Sequence, residues 1–343
     1  MGRLVLGFIA RVRPRAMSFA VPPIAGLILL LLAGALATAL IVSAIEARFP
    51  ARGRFVDLVN GRLHVLEAGP AHRDAEATVV LVHGASANAA ELMTALGPRL
   101  ATRYRVIAVD RPGHGWSDRM GDAGSPVRQA ALIADGLRRL GVTRAVVVGH
   151  SWAGSLVADL ALEHADVTGA ILLLAPVPHP WPRGKISWYY GPAASVWGWL
   201  FTRTLATPIG LAFLKPVVNA VFAPQSPPAG YVERAQVPLV LRPAVFRANA
   251  QDVAGLHAAV SARSPRYRDI RVPAAVVAGD ADAIVTTAIH SIAFAREVPG
   301  ARLTILPGIG HMPHHVAADT VIAEVERLAL SVGTAQAADG VAP

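Results

Sequence analysis

The 343-residue chain contains no cysteine. Disulfides, thiolate metal sites and a cysteine nucleophile are excluded, as is a lipid anchor carried on a cysteine. Other metal-ligating spacings are missing: there is no H-E-x-x-H and no D-x-D-x-D-G, so no metal is expected. No G-x-G-x-x-G or P-loop follows an expected strand, so no nucleotide cofactor is expected. No basic patch with interleaved aromatics is present, which argues against a nucleic-acid partner. Charge itself is scarce. Charged residues make up 16% of the chain and hydrophobic ones 53%, a greasy balance for a purely soluble protein.

The formal charge of +9 is unevenly placed. Arg3, Arg11, Arg13, Arg15, Arg48, Arg52 and Arg54 flank one apolar stretch, with only Glu46 against them. Setting those eight aside turns 32 basic and 23 acidic residues into 25 and 22, so most of the excess belongs to these flanks. Residues 16–45 carry no charge, and residues 24–45 have about the ~20-residue length that spans a bilayer as a helix. Pro22 and Pro23 suit its first turn. We therefore expect a basic cytoplasmic segment over 1–21 and a transmembrane anchor over 22–46, with four arginines holding the N-terminus inside. The competing reading is a signal sequence cleaved near Ala35-Leu36-Ala37 or Ser43-Ala44-Ile45. Either reading exports the rest of the chain. The expected location is the bacterial inner membrane, single pass, with the following domain on the extracytoplasmic side, or secretion after cleavage.

Beyond residue 52 the hydrophobic pattern alternates between strand and helix. Phe55-Val56-Asp57-Leu58-Val59, Asn60-Gly61 and Arg62-Leu63-His64-Val65-Leu66 read as a hairpin. Expected strands follow at 78–82, 105–110, 145–148, 169–174, 274–278 and 302–306, with helices between them. That alternation predicts an α/β fold: a mostly parallel sheet with helices on both faces. The core is expected over 52–175 and 266–331, with a disordered tail over 332–343. Residues 176–265 break the alternation and are too many for a structureless loop. They hold Trp181, Trp188, Tyr189, Tyr190, Trp197 and Trp199, and read as an inserted helical lid, with Trp188 and Trp197 as candidate substrate-binding residues. Residues 186–202 are uncharged, at the short limit for a second span, and Pro192 interrupts them. A lid face touching the bilayer is the alternative use of that stretch.

The chain is organised around Val146-Val147-Val148-Gly149-His150-Ser151-Trp152-Ala153-Gly154. A β-branched run enters a sharp turn of small residues with Ser151 at its tip, then a helical pattern begins. Small residues suit positions where strand and helix pass closely. The stretch resembles the nucleophile elbow of the α/β-hydrolase family, with Ala153 where G-x-S-x-G has its last glycine. The resemblance implies Ser151 as nucleophile, followed along the chain by an acid and then a histidine.

The acid is expected after the late strand, in Gly279-Asp280-Ala281-Asp282-Ala283-Ile284-Val285. The family's Gly-x-x-Asp-x-x-Val-like turn selects Asp282 and leaves Asp280 as a turn residue. Some relatives place the acid one strand earlier, but Leu174-Ala175-Pro176-Val177-Pro178 offers no carboxylate. The base is expected at His311, in Pro307-Gly308-Ile309-Gly310-His311-Met312-Pro313, which resembles the family's histidine loop. His314 and His315 read as surface residues opening the last helix. By resemblance the oxyanion-hole amides are those of Trp152 and Ala85, with His83 and Gly84 shaping the second turn. Asp110-Arg111-Pro112-Gly113-His114-Gly115-Trp116-Ser117 resembles the family's Asp-x-Pro-Gly-x-Gly-x-Ser turn, a structural element.

The implied activity is cofactor-free acyl transfer on a small-molecule ester or lipid-like substrate with an apolar acyl or alcohol group. A C–C bond hydrolase and a perhydrolase or haloperoxidase share this triad. A membrane-tethered binding protein on the same fold is the non-enzyme alternative. Oligomeric state is not readable from the sequence.

Overall fold

The protein is described from a computed structural model covering residues 23–182, 186–187 and 189–338. The segment expected at 1–21 lies outside the described residues. Helix α1, Pro23–Arg48, is apolar on every side, and only Thr38 and Ile45 are buried. Its first turns touch little protein, while one side of its later turns rests on the insertion.

A hairpin follows: β1 (Arg54–Leu58) and β2 (Gly61–Ala68) pair antiparallel with Leu58 opposite Gly61, so the turn is Val59-Asn60, one residue earlier than the expected Asn60-Gly61. The chain then alternates through β3 (Thr78–Val82), α2 (Ala89–Leu100), β4 (Arg105–Val109), α3 (Pro126–Arg139), β5 (Ala145–His150), α4 (Ala153–Glu163) and β6 (Thr168–Leu174). Asn88 caps α2 by accepting from the Ala90 amide, and Ser125 caps α3 from the Arg128 amide.

Between β6 and the next strand comes the insertion: α5 (Tyr190–Ala194), α6 (Gly198–Phe201), a π-helical turn over Thr202–Ala206, α7 (Thr207–Phe222), α8 (Tyr231–Arg234) and α9 (Pro243–Arg263). The sheet resumes with β7 (Ala274–Gly279), α10 (Ala293–Glu297), β8 (Arg302–Leu306), α11 (Pro313–Val316) and α12 (Ala318–Ala338). The tail expected to lack structure from residue 332 is helical through Ala338, because Leu328 and Val332 continue the buried stripe of α12 against the sheet.

The eight strands run β1-β2-β4-β3-β5-β6-β7-β8, parallel from β4 to β8, with β2 antiparallel to β4. Side chains alternate across the sheet. Val80, Val82 and Val147 pack with α3, α4 and α10 on one face. Val79, Leu81, Val146 and Val148 pack with α2 and α12 on the other. β3 and β6 flank β5, both parallel to it, so its C-terminal end opens where chain connections leave in opposite directions. Ligand sites of open α/β sheets lie at such a point.

The insertion is joined to α1 and to the core by different contacts. Thr38 Oγ1 donates to the Thr204 carbonyl at 3.4 Å, and a Cβ on Gly34 would meet that same oxygen at 2.5 Å. Gly34 is therefore required for α1 to approach, as small residues allow between packed apolar helices. Thr204 lies in the π-helical turn, where wider winding turns a carbonyl outward. Ile45 and Phe49 then pack on Leu239 and Leu241. The stretch of length and composition to cross a membrane within the insertion is Gly198–Phe222, which begins later in the chain than the uncharged stretch at 186–202.

The core contact is a buried charge cluster. Asp252 of α9 takes Arg111 Nη1 at 3.0 Å, Arg119 Nη1 at 2.8 Å and Gln129 Nε2 at 2.8 Å. Arg111 and Asp252 are wholly buried, so removing one charge strands the other. Asp252→Ala should cost about 3–5 kcal/mol. Chemical denaturation would read this as a lowered midpoint, and an unchanged midpoint would contradict the assignment.

Candidate active site

The strand-to-helix turn after β5 places Ser151 at φ +53°, a left-handed conformation unusual for a non-glycine residue. The turn is held from both sides: the Ser151 amide donates to Leu174 O on β6 at 2.9 Å, and its carbonyl accepts from Gly154 N and Val177 N. A Cβ on Gly149 would meet Val157 Cγ2 at 2.6 Å, so strand and helix are as close as the small-residue pattern requires. Ala153 fits this space with no exposed surface, which accounts for the departure from glycine.

His311 Nε2 lies 3.0 Å from Ser151 Oγ, and His311 Nδ1 lies 2.7 Å from Asp282 Oδ2. The other oxygen of Asp282 accepts from the Ile284 and Val285 amides, both at 2.8 Å. Asp282 is thus fixed by its own turn. Asp280 faces elsewhere and accepts from Gly308 N at 2.6 Å, the turn role expected for it. The Ser151 hydroxyl, the His311 imidazole and the Asp282 carboxylate stand in one row, with Asp282 and His311 supplied by the loops after β7 and β8.

The loop after β3 passes directly against this row. A Cβ on Gly84 would sit 3.0 Å from Ser151 Cβ, so Ala85 follows at the nucleophile's side. Trp152 is the cap of α4, and its indole is anchored, with Nε1 donating to Asp252 O at 3.1 Å and Arg111 Cζ lying 4.0 Å from the ring centre. His83 accepts the Arg111 amide at Nε2, 3.0 Å away, and shares Nδ1 with Gly84 O. Both nitrogens are used by backbone, so His83 shapes the turn. The Asp110 turn is likewise structural: its carboxylate takes the Ala89 and Trp116 amides and His64 Nδ1.

Two expectations are corrected. Trp197 is 76% exposed, on an outward face with Val196 and Trp199, and does not line the site. Trp188 lies outside the described residues. His314 and His315 are not surface residues: both donate to Glu91 Oε1 at 2.7 Å, and His314 is fully buried. Glu91 sits in the first turn of α2, beneath α11, where a buried carboxylate requires such partners. Burial pushes the Glu91 carboxyl up, but the two histidines outweigh that and hold it well below its usual range.

The sequence reading also missed residues of the insertion that reach the site. Gln225 donates to Gly308 O at 2.6 Å and accepts from Gly310 N at 2.9 Å, clamping the turn that carries His311. Asn249 bonds both the amide and the hydroxyl of Ser86, and Tyr190 reaches the same hydroxyl at 3.3 Å. Ser86 itself has φ +56°. The insertion is therefore stitched to the loop that bears Ala85. Ser151 beneath it is only 8% exposed. No sequence motif marks these polar residues, because their partners lie far along the chain.

Comparison with known proteins agrees with the geometry. The model of a family described as the alpha/beta hydrolase family matches residues 79–324. The chain is 27% identical over 270 residues to the 2-(acetamidomethylene)succinate hydrolase of Mesorhizobium japonicum, covering 78% of this chain and 92% of that protein. It is 31% identical over 123 residues to the 2-hydroxy-6-oxo-6-phenylhexa-2,4-dienoate hydrolase of Burkholderia cepacia, covering 35% and 41%. The match to the first curated relatives spans about two fifths of their own length. Among solved structures, a membrane phospholipase A superposes with a TM-score of 0.64 at 22% identity, covering 90% of this chain and 95% of that one. At that identity the likeness is one of fold.

Buried imidazoles around the row set a pH dependence. Burial and the Arg111 guanidinium push His83 down to about 3, and burial pushes His290 down to about 4. Burial also holds His114 and His150 well below the ordinary value. Unfolded, each takes up a proton near pH ~6.5. Between there and the folded value the unfolded chain binds more protons, so stability falls as pH drops, by about 1.4 kcal/mol per unit for each imidazole. Asp159, pushed up to about 6 by burial, and Asp252, also raised by burial, oppose this. The imidazoles outnumber them. The thermal midpoint should fall steadily from pH 7 to pH 5. A calorimetric profile flat over that range would contradict the prediction.

Proposed function

The chain belongs to the alpha/beta hydrolase family, and from that premise we propose that it is a membrane-anchored serine hydrolase cleaving carboxylic esters with an apolar acyl or alcohol group. The observation that carries this reading is the hydrogen-bonded row Ser151–His311–Asp282. In the proposed mechanism His311 Nε2 takes the Ser151 proton as Oγ attacks the ester carbonyl. Asp282 keeps the imidazole in the correct tautomer and stabilises the imidazolium. The amides of Trp152 and Ala85 receive the tetrahedral oxyanion, where each donor is worth roughly 10²–10³ in rate. His311 returns its proton to the leaving alcohol. It then activates a water that releases the acid from Ser151. The chain needs no metal or organic cofactor for this chemistry.

In the same reading α1 anchors the enzyme in the inner membrane, with the hydrolase domain on the extracytoplasmic side, and the helical insertion is its lid. The length of α1, its uncovered apolar surface and the arginines at its cytoplasmic flank support the anchor. The near-complete enclosure of Ser151 supports the lid. A second reading, C–C bond hydrolysis by the same triad, is favoured by one observation: several curated relatives bear the names of dienoate hydrolases.

Two measurements test the proposal. A fluorophosphonate probe should label Ser151, and Ser151→Ala should lower ester turnover by at least about 10⁴-fold. A variant retaining near wild-type rate would overturn the triad. Asp282→Asn should lose about 10⁴-fold, because the imidazole is held in the wrong tautomer. Asp280→Asn should leave turnover within a few-fold. Labelling with no turnover of any p-nitrophenyl ester would move the C–C hydrolase reading forward.

A further inference from the structure

A cavity of about 490 Å³ lies outside the Ser151–His311–Asp282 row. It lies where four parts of the chain meet: Val42 and Glu46 at the end of α1, the first hairpin, the Asp110–Ser117 turn with its flank, and the insertion. None of Ser151, Asp282 and His311 lines it. Its walls carry four guanidinium groups, Arg62, Arg119, Arg203 and Arg242, against two carboxylates, Glu46 and Asp118.

The arginines are unequally satisfied. Arg62 is paired with Asp118 at 3.4 Å, and Arg119 with Asp252 at 2.8 Å. Arg203 has Trp199 as its partner, Cζ 4.7 Å from the ring centre, and no carboxylate among the described residues. Arg242 bonds Gly115 O, reaches Glu46 at 3.2 Å and lies 4.2 Å over Trp116. Its Nε is buried with no acceptor among the described residues. Such an orphan donor is costly unless an acceptor arrives. Arginine pairs match the geometry of phosphate oxygens.

The depth of the cavity supplies the second half of the argument. Val42 and Glu46 sit in the last two turns of α1, where an apolar span gives way to charge. Beside them the insertion presents an outward apolar surface that includes Trp199, Ile209, Leu211, Phe213 and Val217. α7 packs against α1, so this surface adjoins the proposed span. A cationic pocket at headgroup level with an apolar face running away from it has the two-part chemistry of a phospholipid. We propose that this cavity binds the phosphate-bearing headgroup of an anionic phospholipid, with the acyl chains lying along α1 and the apolar face of the insertion. The site is separate from the ester-cleaving row, and the inference rests on α1 being a membrane span.

The test uses the full chain in mild detergent. Phosphatidylglycerol and phosphatidylcholine are offered separately, and retained lipid is counted by native mass spectrometry. One phosphatidylglycerol per chain should be retained, about tenfold more than phosphatidylcholine. Exposed Arg203 is the residue to change: Arg203→Glu should reduce retention about tenfold and Arg203→Gln less, as loss or reversal of one charge in the pocket wall implies. Both variants should hydrolyse a soluble short-chain ester at the wild-type rate. Equal retention of the two lipids, or of phosphatidylglycerol by wild type and Arg203→Glu, would overturn the site. Full displacement of phosphatidylglycerol by inorganic phosphate would make it a site for soluble phosphate and overturn the lipid assignment. Alkaline carbonate extraction separates the two readings. Release of the chain from membranes would sink the anchor and the lipid site together. A chain that stays in the membrane without selecting phosphatidylglycerol would sink the lipid site alone.

Discussion

The left-handed turn at Ser151 is the constraint on which the rest depends. Such a backbone costs of order 1–3 kcal/mol and persists only when its surroundings over-determine it. Here they do. β6 accepts the Ser151 amide, the chain leaving β6 donates to its carbonyl, and glycine at 149 lets α4 lie against β5. The same strand order delivers the partners. β6, β7 and β8 lie side by side beyond β5, so the loops bearing Asp282 and His311 emerge at the same end as Ser151. Three residues separated by up to 160 positions become one row because four parallel strands end together.

The insertion is part of the site and not merely a cover over it. Gln225 grips the turn before His311, Asn249 and Tyr190 hold Ser86, and Asp252 fixes Arg111, whose guanidinium reaches Gly84 O. Displacing the helices would disturb the loop that bears Ala85 and the turn that bears His311 together. Buried charge makes this attachment specific, since Asp252 has one arrangement that satisfies Arg111, Arg119 and Gln129 at once.

The fold and the Ser151–His311–Asp282 row were legible because their signals are local. Alternating strand and helix patterns gave the parallel sheet, and small residues around Ser151 marked a close strand–helix crossing. Asp282 was separable from Asp280 by the register of one turn. What stayed hidden depends on partners distant in sequence. Nothing near Glu91 announces that it accepts from His314 and His315, which read as surface residues and whose side chains are buried. Gln225 and Asn249 are ordinary polar residues until the fold brings backbone to them. Trp197 was misplaced because an aromatic cluster carries no information about which side of a short helix faces inward. The tail after Ser331 was misread because small residues obscured a buried stripe that continues to Val332.

The junction between α1 and the hydrolase domain has a consequence for kinetics. Only five residues separate the end of α1 from the start of β1, a reach of at most about 20 Å, and Ile45 and Phe49 are wedged on Leu239 and Leu241. A long tether would let an enzyme tumble through the volume above a membrane. This junction does not. With α1 as the proposed anchor, the bilayer becomes a reference plane, and the nucleophile is held at one height and one tilt above it. On the proposed function, search would be two-dimensional, and turnover of an amphiphilic ester would follow its number per unit area of membrane instead of its concentration in bulk.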